Sequence, residues 1–299
     1  MLKTEYYLPE KILANAELVK LYPEWTEEKI FAKTGIASRH VAGDAEDVLT
    51  MSEKACRKLF AAGVNAQEID FVLLCTQSPK YKLPSTACLL QDRLGLSKSV
   101  GASDYDLGCS GFVYGLAMAK GLVKGGVAKN VLLVTAETYT KYIGEMDKST
   151  RTIFGDGASA TLVDADAASQ VGEFSLGTDG SGAEKLILKD GEHLFMDGPE
   201  IFNFTLDVVP KTMDEVCAKN GIMRDDVDLF VFHQANKFML DTIRKVNLLP
   251  RDKFYVNLDT VGNTVSSTIP IALAQLKADG RLPPGLRIVL MGFGVGLSW

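Results

Sequence analysis

The chain is poor in the residues that build metal centres and disulfide scaffolds. It has only three histidines, and its five cysteines, Cys56, Cys75, Cys88, Cys109 and Cys217, are an odd number with no CxxC pair. No metal-ligand spacing results, and the unrelated settings of the cysteines fit a reduced, cytoplasmic protein. Positive charge is not in excess either. A formal net charge of −6 at pH 7 argues against the basic field that nonspecific nucleic-acid binding needs. Long apolar runs are missing. The stretches 71–75, 131–136 and 229–232 fall far short of the roughly 20 residues that cross a bilayer, so no membrane association is expected. The opening Met1-Leu2-Lys3-Thr4-Glu5 lacks the apolar core of a secretory signal. There is no Pro/Ser-rich linker and no low-complexity stretch, which favours two packed halves over tethered domains. Nucleotide and hydrolase signatures are also lacking. No Walker motif and no GxSxG elbow occur, and Gly292-Phe293-Gly294-Val295-Gly296 is not GxGxxG and has no following helix to receive a phosphate.

What is present reads as an α/β protein. The segments 71–76, 131–136, 229–232 and 288–291 are short, β-rich and apolar throughout, as buried parallel strands are. Helical patterns cover 52–62, with Ser52 as the cap, and then 86–94, 111–123, 210–220, 238–245 and 269–279. The alternation implies parallel sheets covered on both faces. A helix, a strand and a Gly-rich turn occur in 50–164 and again in 205–299. We therefore expect two structurally related halves, 1–166 and 167–299, with the seam near 164–170.

Three residues stand out chemically. Cys109 lies in Asp104-Tyr105-Asp106-Leu107-Gly108-Cys109-Ser110-Gly111-Phe112, where a strand ends, glycines allow a sharp turn and a helix begins. A thiol there meets the positive end of a helix, which favours thiolate, and small neighbours let a substrate approach. A buried structural cysteine is the competing reading, and it serves for the other four. His233 follows the apolar strand and opens His233-Gln234-Ala235-Asn236, at the carboxyl end of a strand where α/β sheets place ligands. A core histidine with a satisfied hydrogen bond is its competitor. Asn263 lies in Val261-Gly262-Asn263-Thr264-Val265, where Gly-Asn also suits an ordinary turn. His40 and His193 lie in polar connections and attract no role.

Taken in order, these strings resemble β-ketoacyl-acyl-carrier-protein synthase III of the thiolase-like superfamily. The resemblance runs through Tyr7-Leu8-Pro9, Lys33-Thr34-Gly35-Ile36, Leu83-Pro84-Ser85, the Cys109 turn, Phe154-Gly155-Asp156-Gly157-Ala158, His233-Gln234-Ala235-Asn236, Gly262-Asn263-Thr264 and 292–296. It implies a five-layered αβαβα fold from two pseudo-repeated halves and, usually, a homodimer. It also implies a decarboxylative condensation in which Cys109 carries the acyl group and the backbone N–H groups of Cys109 and Val295 form the oxyanion hole. His233 and Asn263 would donate hydrogen bonds to the malonyl thioester carbonyl. No metal or redox cofactor is implied, because loss of carbon dioxide drives the step. Acyl and malonyl thioesters of acyl carrier protein or coenzyme A would be the substrates.

Several positions depart from the family pattern. Where relatives sandwich the adenine of coenzyme A between Trp and Arg, this chain has Lys29 and Lys148, with Trp25 nearby but out of register. Leu83 stands where an aromatic residue often gates the acyl pocket. Lys237, Arg244 and Lys245 follow His233 and suggest a docking patch for a carrier protein. The connection 183–195 is short, and relatives carry a further strand beyond the position of Trp299. Three other functions share the fold. An acyltransferase to an oxygen or nitrogen acceptor would keep Cys109 and His233 without needing Asn263. A hydroxymethylglutaryl-coenzyme A synthase would need a Glu base near Thr76-Gln77-Ser78, where Gln77 cannot serve. A non-catalytic partner subunit would lack Cys109.

Overall fold

Every residue of the segments Val131–Glu137 and Gly157–Val163 is buried, so both faces of these strands must be covered. The computed structural model describes residues 2–299 and shows what covers them. In chain order its elements are β1 (Lys3–Tyr7), β2 (Ile12–Ala14), α1 (Asn15–Leu21), α2 (Glu27–Thr34), β3 (Ser38–His40), α3 (Val48–Ala61), β4 (Phe71–Cys75), α4 (Thr86–Arg93), β5 (Gly101–Tyr105), α5 (Gly111–Lys124), β6 (Val131–Glu137), α6 (Lys148–Arg151), β7 (Gly157–Val163) and α7 (Ala165–Gln170). There follow β8 (Leu186–Ile187), β9 (Phe195–Met196), α8 (Gly198–Lys219), β10 (Leu229–Phe232), α9 (Lys237–Val246), β11 (Phe254–Tyr255), α10 (Thr268–Ala278) and β12 (Ile288–Met291).

Two sheets carry the fold: a five-stranded one in the order β1-β7-β6-β4-β5 and a three-stranded one in the order β11-β10-β12. Side-chain alternation assigns their faces. On β4 and β6, Val72, Leu74, Leu132 and Val134 pack with Leu49, Leu59 and Leu90 of α3 and α4. The intervening Leu73 and Leu133 turn the other way, onto Phe112 and Leu116 of α5 and Ile269 and Leu273 of α10. Leu229 and Val231 of β10 meet that same middle layer from the far side. Phe230 and Phe232 point outward against Val209 and Met213 of α8 and Leu240 and Ile243 of α9. Four apolar interfaces thus separate five layers, αβαβα, as expected.

Three local expectations are corrected. The first sheet is mixed rather than parallel: β7 runs antiparallel to both β1 and β6. The helix expected at 52–62 starts earlier, because Asp47 caps it with Thr50 in a reciprocal capping box, and Ser52 is buried inside it. The helix expected at 210–220 is only the second half of α8, whose start is marked by Asp197 as cap and Pro199 in the first turn. The stretch 164–170, where the seam is expected, holds the short helix α7, capped by Asp164.

Candidate active site

Cys109 sits between the end of β5 and the first residue of α5, one position before the helix cap Ser110. It is 6% exposed. The loop 292–296, which leaves β12, lies directly over it. A Cβ on Gly294 would stand 3.1 Å from the Cys109 Sγ, and one on Gly292 would stand 2.7 Å from the Ser110 Cα. Only glycine permits that approach. Among the described residues, the backbone N–H groups of Cys109 and Val295 make no hydrogen bond to another residue, that of Cys109 facing its own sulfur.

The same loop touches His233. Phe293 presents its ring edge-on to the imidazole, with centroids 5.6 Å apart. His233 begins just past β10, and its N–H donates to the Met291 carbonyl at 2.8 Å. The rest of its motif is structural. The Gln234 side chain ties Phe232 and Tyr255 to Asn257, and Asn236 caps α9. Asn263 reaches His233 from the other side, with its Nδ2 3.4 Å from the imidazole Nε2. Its own backbone is held by the Phe154-Gly155 segment: Gly155 N–H donates to the Asn263 carbonyl, and Asn263 N–H donates to that of Ile153. The structure therefore brings Asn263 and His233 together and seats Cys109 and His233 against neighbouring residues of one loop.

Burial dominates the electrostatics. It pushes the Cys109 thiol up, with the Glu137 charge adding to the effect and the Cys109 backbone N–H opposing it. Burial also lowers His233 to about 3, so the imidazole is neutral at working pH. Glu137, at the end of β6, went unnoticed in the sequence. It occupies the neighbourhood of residues 76–78 where a carboxylate was sought: Gln77 N–H donates to its Oε1 at 2.9 Å and Ser78 Oγ to its Oε2 at 2.7 Å. Burial raises it to about 8 despite those bonds. Gln77 in turn accepts from the Tyr139 hydroxyl and donates to Asp106 Oδ1, bracing the turn below Gly108.

The remaining candidates lie elsewhere. Leu83 is 85% exposed, so within one chain it does not line a pocket with Cys109. Lys29 and Lys148 do converge, but on Trp25: their ammonium groups stand 5.1 and 5.9 Å from its ring centroid, with Lys33 at 5.8 Å. Lys148 is also paired with Glu24. Trp25, out of register in the sequence, is thus in space the centre of that cluster. Lys237 opens α9 and packs its side chain against Gly35. His40 bonds the Pro9 carbonyl, and His193 lies beside Gly144. Among the described residues no helix is long and apolar enough to cross a membrane, and no group of three or more His, Cys, Asp or Glu could hold a metal.

Comparison with known proteins agrees with this fold. The family model for 3-oxoacyl-[acyl-carrier-protein] synthase III matches residues 103–180, and that for its C-terminal part matches residues 217–299. A β-ketoacyl-[acyl-carrier-protein] synthase III from Bacillus cereus is 37% identical over 98% of this chain and 94% of its own length. A crystal structure of a 3-oxoacyl-(acyl-carrier-protein) synthase III superposes with a TM-score of 0.95 at 48% identity, covering 99% of this chain and 96% of the other. A priming β-ketosynthase from a polyketide pathway superposes with a TM-score of 0.92 at 30% identity, covering 99% and 92%.

Proposed function

The chain belongs to the 3-oxoacyl-[acyl-carrier-protein] synthase III family and is an acyl-condensing enzyme of the fatty-acid or polyketide type, and from that premise we propose the reaction its own residues carry out. The Cys109 sulfur bonds to the carbonyl carbon of an acyl thioester, and the donor's thiol departs. A malonyl thioester then loses carbon dioxide, and the resulting enolate carbon attacks the acyl-Cys109 carbonyl. Collapse of that tetrahedral adduct breaks the carbon–sulfur bond, frees Cys109 and leaves a β-ketoacyl thioester. The enzyme is an acyltransferase in this sense, with thioesters as its only co-substrates.

One observation carries the reading. Gly294 lies against the Cys109 sulfur while the N–H groups of Cys109 and Val295 bond no other residue, which suits a donor pair for the oxyanion of each adduct. Asn263, with its carboxamide nitrogen beside His233, supports stabilisation of the enolate and so favours condensation over plain acyl transfer. Acyl carrier protein is the proposed carrier of the malonyl group, and Lys237, Arg244 and Lys245 on α9 its docking patch. The exposed edge of β5 supports pairing with a second copy in a homodimer, which would also cover Leu83 just ahead of α4.

The test is the intact mass of the protein after mixing with a panel of acyl-coenzyme A and acyl-carrier thioesters, beside a Cys109→Ala control. An acyl adduct missing from the control, converted to β-ketoacyl product by malonyl thioester, is expected. An adduct that malonyl thioester never discharges would favour the plain acyltransferase. No adduct with either kind of donor would overturn the proposal.

A further inference from the structure

Val265 is a fully buried, β-branched residue with a left-handed backbone, φ 56°. That conformation costs on the order of 1–3 kcal/mol and persists where the surroundings impose it. Both of its backbone polar groups lead to His233. The Val265 carbonyl accepts from the Thr268 hydroxyl at 3.0 Å. A hydroxyl has one hydrogen, so the Thr268 oxygen can only accept from the His233 Nδ1 that lies 2.7 Å away. Nδ1 therefore carries a proton. On the opposite side the Val265 N–H donates to Asn263 Oδ1 at 2.9 Å. That bond fixes which way the carboxamide points, so it is the NH₂ group that faces His233 Nε2. A donor facing Nε2 means a lone pair there. Two separate hydrogen-bond chains, rooted in the two ends of one residue, assign the same tautomer.

We infer that the left-handed Val265 backbone, acting through Thr268 and Asn263, holds resting His233 with its proton on Nδ1 and a lone pair on Nε2, which makes Thr268 a positioning residue for proton acceptance. This rests on the acyl-transfer reading above for its consequence. An imidazole in this form has no hydrogen on Nε2 to give to a malonyl carbonyl, as the family resemblance suggested. It takes one first. As Sγ bonds to the acyl carbon, the thiol proton passes to Nε2, and the departing thiolate takes it back to leave as a thiol, so no net proton is gained or lost. The thiol needs such an acceptor because burial keeps it protonated.

The experiment is ¹⁵N NMR of the whole protein labelled in histidine, at neutral pH. The three histidines give three patterns, and His233 is identified by the one lost in His233→Gln. The expected His233 pattern is a protonated Nδ1 and a bare Nε2. Thr268→Val should populate the opposite tautomer and slow acyl loading of Cys109 about 10- to 100-fold, with little change in KM for the malonyl substrate. Thr268→Ser should restore both. A wild-type spectrum with the proton on Nε2 overturns the inference, as does a Thr268→Val protein with an unchanged tautomer. Should Thr268→Val not fold, the wild-type spectrum decides alone. That spectrum needs no turnover. An Nδ1–H pattern without acyl loading would sink the condensing reading and leave the tautomer standing, whereas the converse would sink only the tautomer.

Discussion

Ser110 donates its hydroxyl hydrogen to Ser298 Oγ across 2.7 Å, because Ser298 has committed its own hydrogen to the Val295 carbonyl at 2.8 Å. Both serines are fully buried. The pair links the residue after Cys109 to the residue whose N–H completes the proposed oxyanion hole. The Ser298 backbone reinforces the link, since its N–H and C=O bond both polar groups of Gly294. The Gly294 carbonyl and the Val295 N–H belong to one trans peptide, so holding the carbonyl toward Ser298 turns that N–H away from it and leaves it free.

Ser298→Ala should therefore loosen the donor without touching the sulfur. We expect kcat to fall about fivefold, in line with about 1 kcal/mol for one hydrogen bond, with KM for the acyl donor nearly unchanged. Ser110→Ala leaves the bond from Ser298 to Val295 in place and should cost less. The double variant should be no worse than Ser298→Ala alone, and steady-state kinetics of the four proteins checks this. Additive losses would show that the serines act separately.

Gly294→Ala tests the closeness of the loop to the nucleophile. The added methyl would lie 2.8 Å from the Cys109 Cβ and 3.1 Å from its sulfur, so the loop or the turn must shift. A displacement near 1 Å at a reacting centre costs about 100-fold. Acyl loading, followed by intact mass over time, should slow by that order while circular dichroism stays native. Unimpaired loading would mean that the sulfur is reached from another side.

Asn263→Ala separates the two half-reactions. The carboxamide nitrogen is a donor available to an enolate oxygen, and removing one such donor typically costs about 100- to 1,000-fold. Malonyl decarboxylation, followed as carbon dioxide release, should fall by that order while acyl loading persists. Equal loss in both steps would instead point to collapse of the His233 arrangement, and the histidine NMR pattern would then reveal a changed tautomer.

The three central residues were legible because each sits in a distinctive local setting: Cys109 in a glycine turn before a helix, His233 at a strand end, Asn263 in a Gly-Asn turn. Their supports were not. Ser110 and Ser298 are 188 positions apart, and Thr268 is 35 from His233, so only the fold pairs them. Nothing local distinguishes Val265 as left-handed. β7 was not among the expected strands, because small and polar residues break its apolar run, and the strand–helix alternation read elsewhere led to a parallel sheet. The front half of α8 was missed because Gly198 and Pro199 look like breakers, although a proline in the first turn is compatible with a helix start. Trp25 looked out of place in one dimension because helix α2 and the 147–151 turn meet only in three.

Glu137 offers a pH test that bears on stability rather than turnover. Its carboxyl is buried and raised from an ordinary value near 4.5 to about 8, chiefly by desolvation, with Ser78 and Gln77 opposing. For an acid raised in the folded state, the stabilising contribution is complete below the unfolded value and is lost as pH climbs through the folded one. Between about pH 4.5 and 8 the folded protein holds a proton that the unfolded chain has released, so stability falls across this window. Asp156, raised to about 6 by burial, loses its share earlier, between its ordinary value near 3.8 and pH 6. Glu137→Gln keeps an acceptor for Ser78 but cannot ionise. Its unfolding free energy should track the wild type's near pH 5 and exceed it by up to several kcal/mol at pH 9. Chemical denaturation at pH 5, 7 and 9 provides the comparison. A gap between the two proteins that does not change with pH would mean that Glu137 stays ionised throughout, with its two donors outweighing burial.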